Sequence, residues 1–288
     1  MLKVIPMLLA AAALGLVGCN DNSTSPRDVT PPAAPRGLYS VTGDHQATLS
    51  WLANTESDLA GYRVYEAPCA SGSNCPYNRI GATAATQYVA TGLTNGVTRF
   101  FAVSAVDVAG NESDLSYETV FDTPRPAGST VLNNGVVNDT LANVPGAGWY
   151  FSAFAKVSAE DLNADIVYGN NGAIAEMFAM SHPVAPGQFL NSEIQDAGYH
   201  ASLDAIDYSP PAGPNEGWSP TGSVELIPGH CYIVYVWDDH YAKFRVTGVS
   251  PTTVSIDWAY QTADGNQELR ARQVHTPTNS PRRLTWLR

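Results

Sequence analysis

Along most of this chain apolar residues recur at every second position, and Gly, Pro, Asn and Asp bound the alternating runs. A period of two is the signature of strands with one buried face. Leu49 and Trp51 share one face of such a run, and Phe101, Val103 and Ala105 share one face of another. In the second half, 229–237, 241–247 and 253–261 read as three strands joined by short turns, an antiparallel meander with aromatics at alternate positions. Earlier strands are expected over 149–154, 165–168 and 176–180. Beyond residue 130 no pattern of period 3.6 outlasts two turns. The expected fold class is therefore all-β, in two antiparallel modules.

Two proline-containing breaks divide the pattern. Residues 20–36 hold four prolines and no aromatic residue, too little apolar surface to fold, and read as a semi-rigid tether. The second break is 123–130. Ahead of the tether, Lys3 precedes an apolar stretch of 14 residues, Val4 to Val17, interrupted by Pro6. A spanning helix needs about 20, so the stretch is read as an export signal. The expected organisation is a signal over 1–18, a tether over 19–36, a first module over 37–122 and a linker over 123–130. A second module over 131–268 and a basic, disordered tail over 269–288 complete it.

Composition narrows the function. Glycine (24), proline (20) and tyrosine (14) are plentiful and charged residues are only 15%, which suits short strands and many turns. The formal net charge is −12. So acidic a surface repels phosphate backbones, and nucleic acid is not an expected partner. No G-x-S-x-G, H-E-x-x-H, phosphate-loop or G-x-G-x-x-G motif occurs, and no catalysis is expected.

Three resemblances sharpen this. Leu16-Val17-Gly18-Cys19 resembles the lipobox of bacterial lipoproteins. It implies that Cys19 is acylated, becomes the first residue of the mature protein and holds the chain on an envelope membrane. Two or three acyl chains make such an anchor durable. Gly37-Leu38, Ala47 to Trp51, Asp58 to Tyr65, Gly92 to Gly96 and Phe101 to Ser113 follow in the order of a fibronectin type III domain. The resemblance covers 31–124 and implies a two-sheet sandwich acting as a spacer or contact module. One departure is Arg99, which stands where such domains carry a corner tyrosine. Finally, Tyr241-Ala242-Lys243-Phe244-Arg245-Val246, with the lipoprotein context, resembles the C-terminal β-domain of HmuY-like lipoproteins. That likeness implies capture of a small ligand, haem above all, between two histidines, for which His182 and His200 are the candidates. The alternative is that both make ordinary loop hydrogen bonds.

Other residue chemistry is sparser. Cys69 and Cys75 bracket a Gly/Ser/Asn loop and are the natural disulfide pair, a closure contributing about 2 kcal/mol. Cys231, within an apolar strand, is expected to be a buried, inert thiol. Asp238-Asp239-His240 offers carboxylate and imidazole ligands for a cation, but adjacent residues in a tight turn point different ways. Trp149, Trp218, Trp237 and Trp258 are expected in the core or on a sugar- or haem-binding face. Trp218, in the Pro/Gly-rich loop 209–220, belongs to a binding loop or a lid. The expected function is a non-catalytic, lipid-anchored envelope protein whose first module presents the second to a protein or ligand. Haem capture and an accessory role in polysaccharide breakdown are the alternatives.

Overall fold

The computed structural model describes residues 27–70, 75–118, 120–137 and 140–270. The stretch read as an export signal, Cys19 and residues 271–288 lie outside them. Among the described residues no helix is long and apolar enough to cross a membrane.

Among its described residues the first module has seven strands: β1 (Tyr39–Gly43), β2 (Gln46–Ser50), β3 (Leu59–Ala67), β4 (Asn78–Thr83), β5 (Gln87–Thr91), β6 (Arg99–Asp107) and β7 (Val120–Asp122). They form two antiparallel sheets, β1-β2-β5 and β4-β3-β6-β7, the fibronectin type III sandwich the sequence implies. The alternating positions decide the core: Leu49, Trp51, Val64, Phe101, Val103 and Ala105 are buried together. Trp51 meets Tyr62 edge-on at 5.2 Å, and Tyr62 Oη accepts the Asn54 N–H at 2.9 Å. Cys69 and Cys75 are joined as a disulfide. Arg99, lacking a corner hydroxyl, pairs with Glu66 at 3.3 Å instead, while Phe100 packs on Phe121.

Among its described residues the second module holds fourteen short strands. In order they are β8 (Ala127–Asn133), β9 (Val136–Val137), β10 (Thr140–Leu141), β11 (Gly148–Tyr150), β12 (Ala155–Val157), β13 (Ile166–Asn170) and β14 (Ala175–Ala179). Then come β15 (Ser181–Ala185), β16 (Gln188–Asn191), β17 (Glu193–Tyr199), β18 (Ser223–Glu225), β19 (His230–Val236), β20 (His240–Val249) and β21 (Thr253–Gln261). Two five-stranded antiparallel sheets, β12-β11-β13-β14-β18 and β17-β19-β20-β21-β8, enclose a core that includes Tyr168, Met177, Tyr232, Val234, Phe244 and Trp258. Alternation along β19 sends Tyr232, Val234 and Val236 inward. It sends Cys231 and Ile233 to the opposite face, where loop residues Ile206 and Trp218 cover them. Cys231 is fully buried, and burial pushes its thiol up. Lys243 is buried on that same covered face. Its Nζ donates to the Leu203 and Ile206 carbonyls at 2.7 Å each, and burial pulls it down to about 6.

Three boundaries differ from the sequence reading. The strand expected over 149–154 ends at Tyr150, and 151–154 is a turn closed by Phe154 N–H to Phe151 O at 3.1 Å. The tail expected from 269 is still packed there: Leu269 is fully buried, and Arg270 Nη1 donates to Asp204 O at 2.9 Å. The linker expected over 123–130 is short and enclosed. β8 already begins at Ala127, and Thr123 and Arg125 are each 2% exposed.

That junction is held from both modules. On the first, Gly96 N–H donates to Pro124 O at 2.8 Å and Arg125 N–H to Gly43 O at 3.1 Å. On the second, Tyr260 N–H donates to Pro126 O at 3.0 Å and Thr123 Oγ1 to Glu268 Oε2 at 3.1 Å. Burial pulls the Arg125 guanidinium below its ordinary value, opposed first by Asp204, whose carboxylate lies 4.0 Å away, and then by Asp122 and Glu268. A charge so enclosed persists only with partners, and here they come from both modules.

Candidate functional site

The chemistry-bearing side chains of the second module converge at its end beside the junction. The turn between β19 and β20 carries Asp238, and His240 opens β20. Asp239 between them adopts a left-handed backbone, φ +67°, so it turns away while its neighbours meet. His240 Nδ1 lies 3.0 Å from Asp238 Oδ1, and His240 Nε2 lies 3.0 Å from Asp264 Oδ1. The imidazole is clamped between two carboxylates. The Asp238 hydrogen bond pushes its proton affinity up against the effect of burial. Burial raises Asp238, but His240 outweighs this and holds the carboxyl below its ordinary value. Ser152 Oγ, from the turn after β11, donates to Asp238 Oδ2 at 3.3 Å and lies 2.9 Å from Tyr260 Oη.

Behind this rim lies an enclosed pair. Asp165 is fully buried, and its Oδ2 accepts the Phe151 N–H at 2.7 Å. Its Oδ1 faces His182 Nε2 at 3.5 Å, and neither atom has a hydrogen-bond partner among the described residues. His182 stacks on Trp237 at 4.7 Å. Burial pushes Asp165 up to about 7 and His182 down, so both favour their neutral forms.

In front of it lies an aromatic stack. Phe154 sits nearly parallel to Trp258, 5.7 Å away at 12°, and edge-on to Tyr260 at 6.2 Å. Trp258 and Tyr260 are buried, whereas Phe154 is 44% exposed.

The sequence candidates fare differently. His182 joins this cluster. His200 does not: its Nε2 lies 3.1 Å from Ala197 O at the other end of β17. Seven strand residues separate the two ends, roughly 20 Å at about 3.3 Å per residue, so the two imidazoles are not brought together as ligands of one haem iron would be. Trp218 donates Nε1 to Pro211 O at 2.8 Å and packs over Ile206, Ile233 and Tyr241. It staples a lid on the outer face of the sheet and stands outside the cluster. On the first module, Asp107 accepts both the Asn111 N–H and its Nδ2–H at 2.8 Å, which closes the hairpin turn. Asp28 and Asp58 each place an oxygen within 4.8 Å of it. Ser152, Phe154, Asp165 and Asp264 were not candidates from the sequence. The run Trp149-Tyr150-Phe151-Ser152-Ala153-Phe154 contains no Gly, Pro, Asn or Asp to announce a turn.

No protein-family model matches the chain. Among curated proteins it is similar to Chitinase D of Niallia circulans, 28% identical over 269 residues, covering 77% of this chain and 49% of that protein. It is also similar to Exoglucanase B of Cellulomonas fimi, 31% identical over 248 residues, covering 80% and 21%. An amylopullulanase of Thermoanaerobacterium saccharolyticum is 33% identical over 119 residues, covering 39% and 9%. The chain thus spans half or less of the length of these relatives. Among solved structures, an Fn3-like protein from Clostridium thermocellum is 31% identical, covers 30% of this chain and 88% of its own, and has a TM-score of 0.27. A DUF4466 family protein from Parabacteroides merdae is 12% identical over 81% of this chain and 94% of its own, with a TM-score of 0.34.

Proposed function

We propose that this chain is a non-catalytic, lipid-anchored cell-envelope protein whose two β-modules form one rigid unit presenting a binding end to an extracellular ligand or envelope partner. The observation that carries this reading is the junction. Arg125, 2% exposed, draws its counter-charges from both modules, so the first module positions the second. Thr262, at the end of β21, lies against Gly96 of the first module: a Cβ on Gly96 would come within 2.7 Å of Thr262 Oγ1. The candidate site is built beside this contact, and sites at module boundaries are favoured places for ligands.

Lipid attachment rests on Leu16-Val17-Gly18-Cys19. The relatives named above are polysaccharide-degrading enzymes of which this chain spans only a part, which supports an accessory role. Asp165 and His182 are too enclosed to meet a substrate, which supports a role without catalysis. Radiolabelled palmitate fed to expressing cells is expected to enter the protein and to place it in the membrane fraction. Cys19→Ala is expected to lose both, and an unchanged membrane fraction for that variant would overturn the anchored reading.

A further inference from the structure

Resting on that reading, we infer that the exposed face of Phe154, with the rim of Ser152, Asp238 and Asp264, is a subsite for one sugar ring of a neutral polysaccharide. The platform is held against its own backbone. Phe154 has φ +52°, a left-handed conformation uncommon for a bulky side chain and costing on the order of 1–3 kcal/mol. What offsets that cost is the stack on Trp258 and the edge contact with Tyr260. The ring lies offset and nearly parallel to the indole and is 44% exposed above two buried partners. Gly128, exposed on β8, flanks the stack, and a Cβ there would come within 3.2 Å of the Trp258 indole.

The rim selects among ligands. A sugar ring has an apolar C–H face and an equator of hydroxyl donors. The face fits an aromatic ring, and the donors fit carboxylate acceptors. Asp264 is 86% exposed and Asp238 27%, while Ser152 Oγ is fixed by Tyr260 and Asp238. His240 sits between the two carboxylates and offsets their charge when protonated. The rim therefore accepts hydrogen bonds without a strong pull on cations, and it repels acidic sugars.

The test is affinity electrophoresis of the full lipidated chain in detergent through gels containing hydroxyethyl cellulose, glycol chitin, amylopectin or polygalacturonate. Retardation by at least one of the three neutral polymers is expected, and none by polygalacturonate. Phe154→Ala is expected to weaken the retarding interaction about tenfold or more, while Tyr199→Ala, removing an aromatic 71% exposed elsewhere, leaves it intact. Asp264→Asn, at an exposed position that does not threaten folding, is expected to weaken it less. No retardation by any neutral polymer, retardation indifferent to Phe154→Ala and Asp264→Asn, or retardation by polygalacturonate would each overturn the saccharide subsite. Palmitate labelling and fractionation of the same preparation report separately on the anchored unit, so either reading can fail without the other.

Discussion

The two β-modules differ in how far along the chain their decisive residues lie from one another. In the first, Trp51 meets Tyr62 and Phe101 joins Val103 and Ala105, near neighbours on strands whose alternation is visible in the sequence. In the second, the cluster at the junction is drawn from Ser152, Asp165, His182, Asp238 and Asp264, five separate segments. A core follows from local periodicity repeated strand by strand, whereas a site follows from which turns happen to meet. That is why the first module reads as a scaffold and the second as the part with specific chemistry.

The sharpest way to break this contrast is at the seam. Arg125→Ala removes the enclosed cation that Asp122 of the first module shares with Asp204 and Glu268 of the second. A loss of about 3–5 kcal/mol is expected, and a denaturant titration is expected to show one unfolding transition in the wild type and two in the variant. If stability and cooperativity stay intact, the modules do not depend on the junction. The next largest effect is local to the first module. Cys69→Ser together with Cys75→Ser is expected to cost about 2 kcal/mol without altering the Trp258 fluorescence environment of the second.

A pH comparison separates the enclosed pair from the rest. The unfolded chain releases the Asp165 proton near the ordinary value of about 3.9, whereas the folded protein keeps it up to about 7. Folding therefore takes up a proton between those values, and this group lowers stability as pH rises through that window. Asp165→Asn, which still accepts from Phe151 N–H, is expected to match the wild type at pH 4 and to melt at a higher temperature at pH 8. Equal melting at both pH values would show that the carboxyl is not held neutral. The smallest stability effect belongs to Phe154→Gly. Relief of the left-handed strain and loss of the stack are expected to cancel to within about 1 kcal/mol. A larger loss would mean that the platform is structural.

Much of the architecture was legible in the chain. Alternation located the buried faces of β2, β6 and β19 to β21, and the Cys69–Cys75 pair followed from residue type. The site was legible only in fragments. Asp238 and His240 stood out, yet adjacency in a turn argued against their meeting, and only the left-handed Asp239 between them lets both reach one place. Phe154 was hidden because its turn is written entirely in strand-forming and small residues. His200 stood out by residue type alone, and β17 carries it away from His182. The enclosed linker was obscured by its prolines: Pro124 and Pro126 lend their carbonyls to both modules instead of loosening the chain.

The most direct test of the rigid unit is a pulsed electron-spin distance measurement between nitroxide labels at Val89 on β5 and Val131 on β8, both exposed positions. Cys231 is buried, Cys69–Cys75 is bonded and Cys19 is replaced by Ala for this measurement, so the labels go where they are placed. One narrow distance distribution, broadened in Arg125→Ala, is expected of a rigid unit. A broad distribution in the wild type, indifferent to Arg125, would make the first module a free spacer and contradict it.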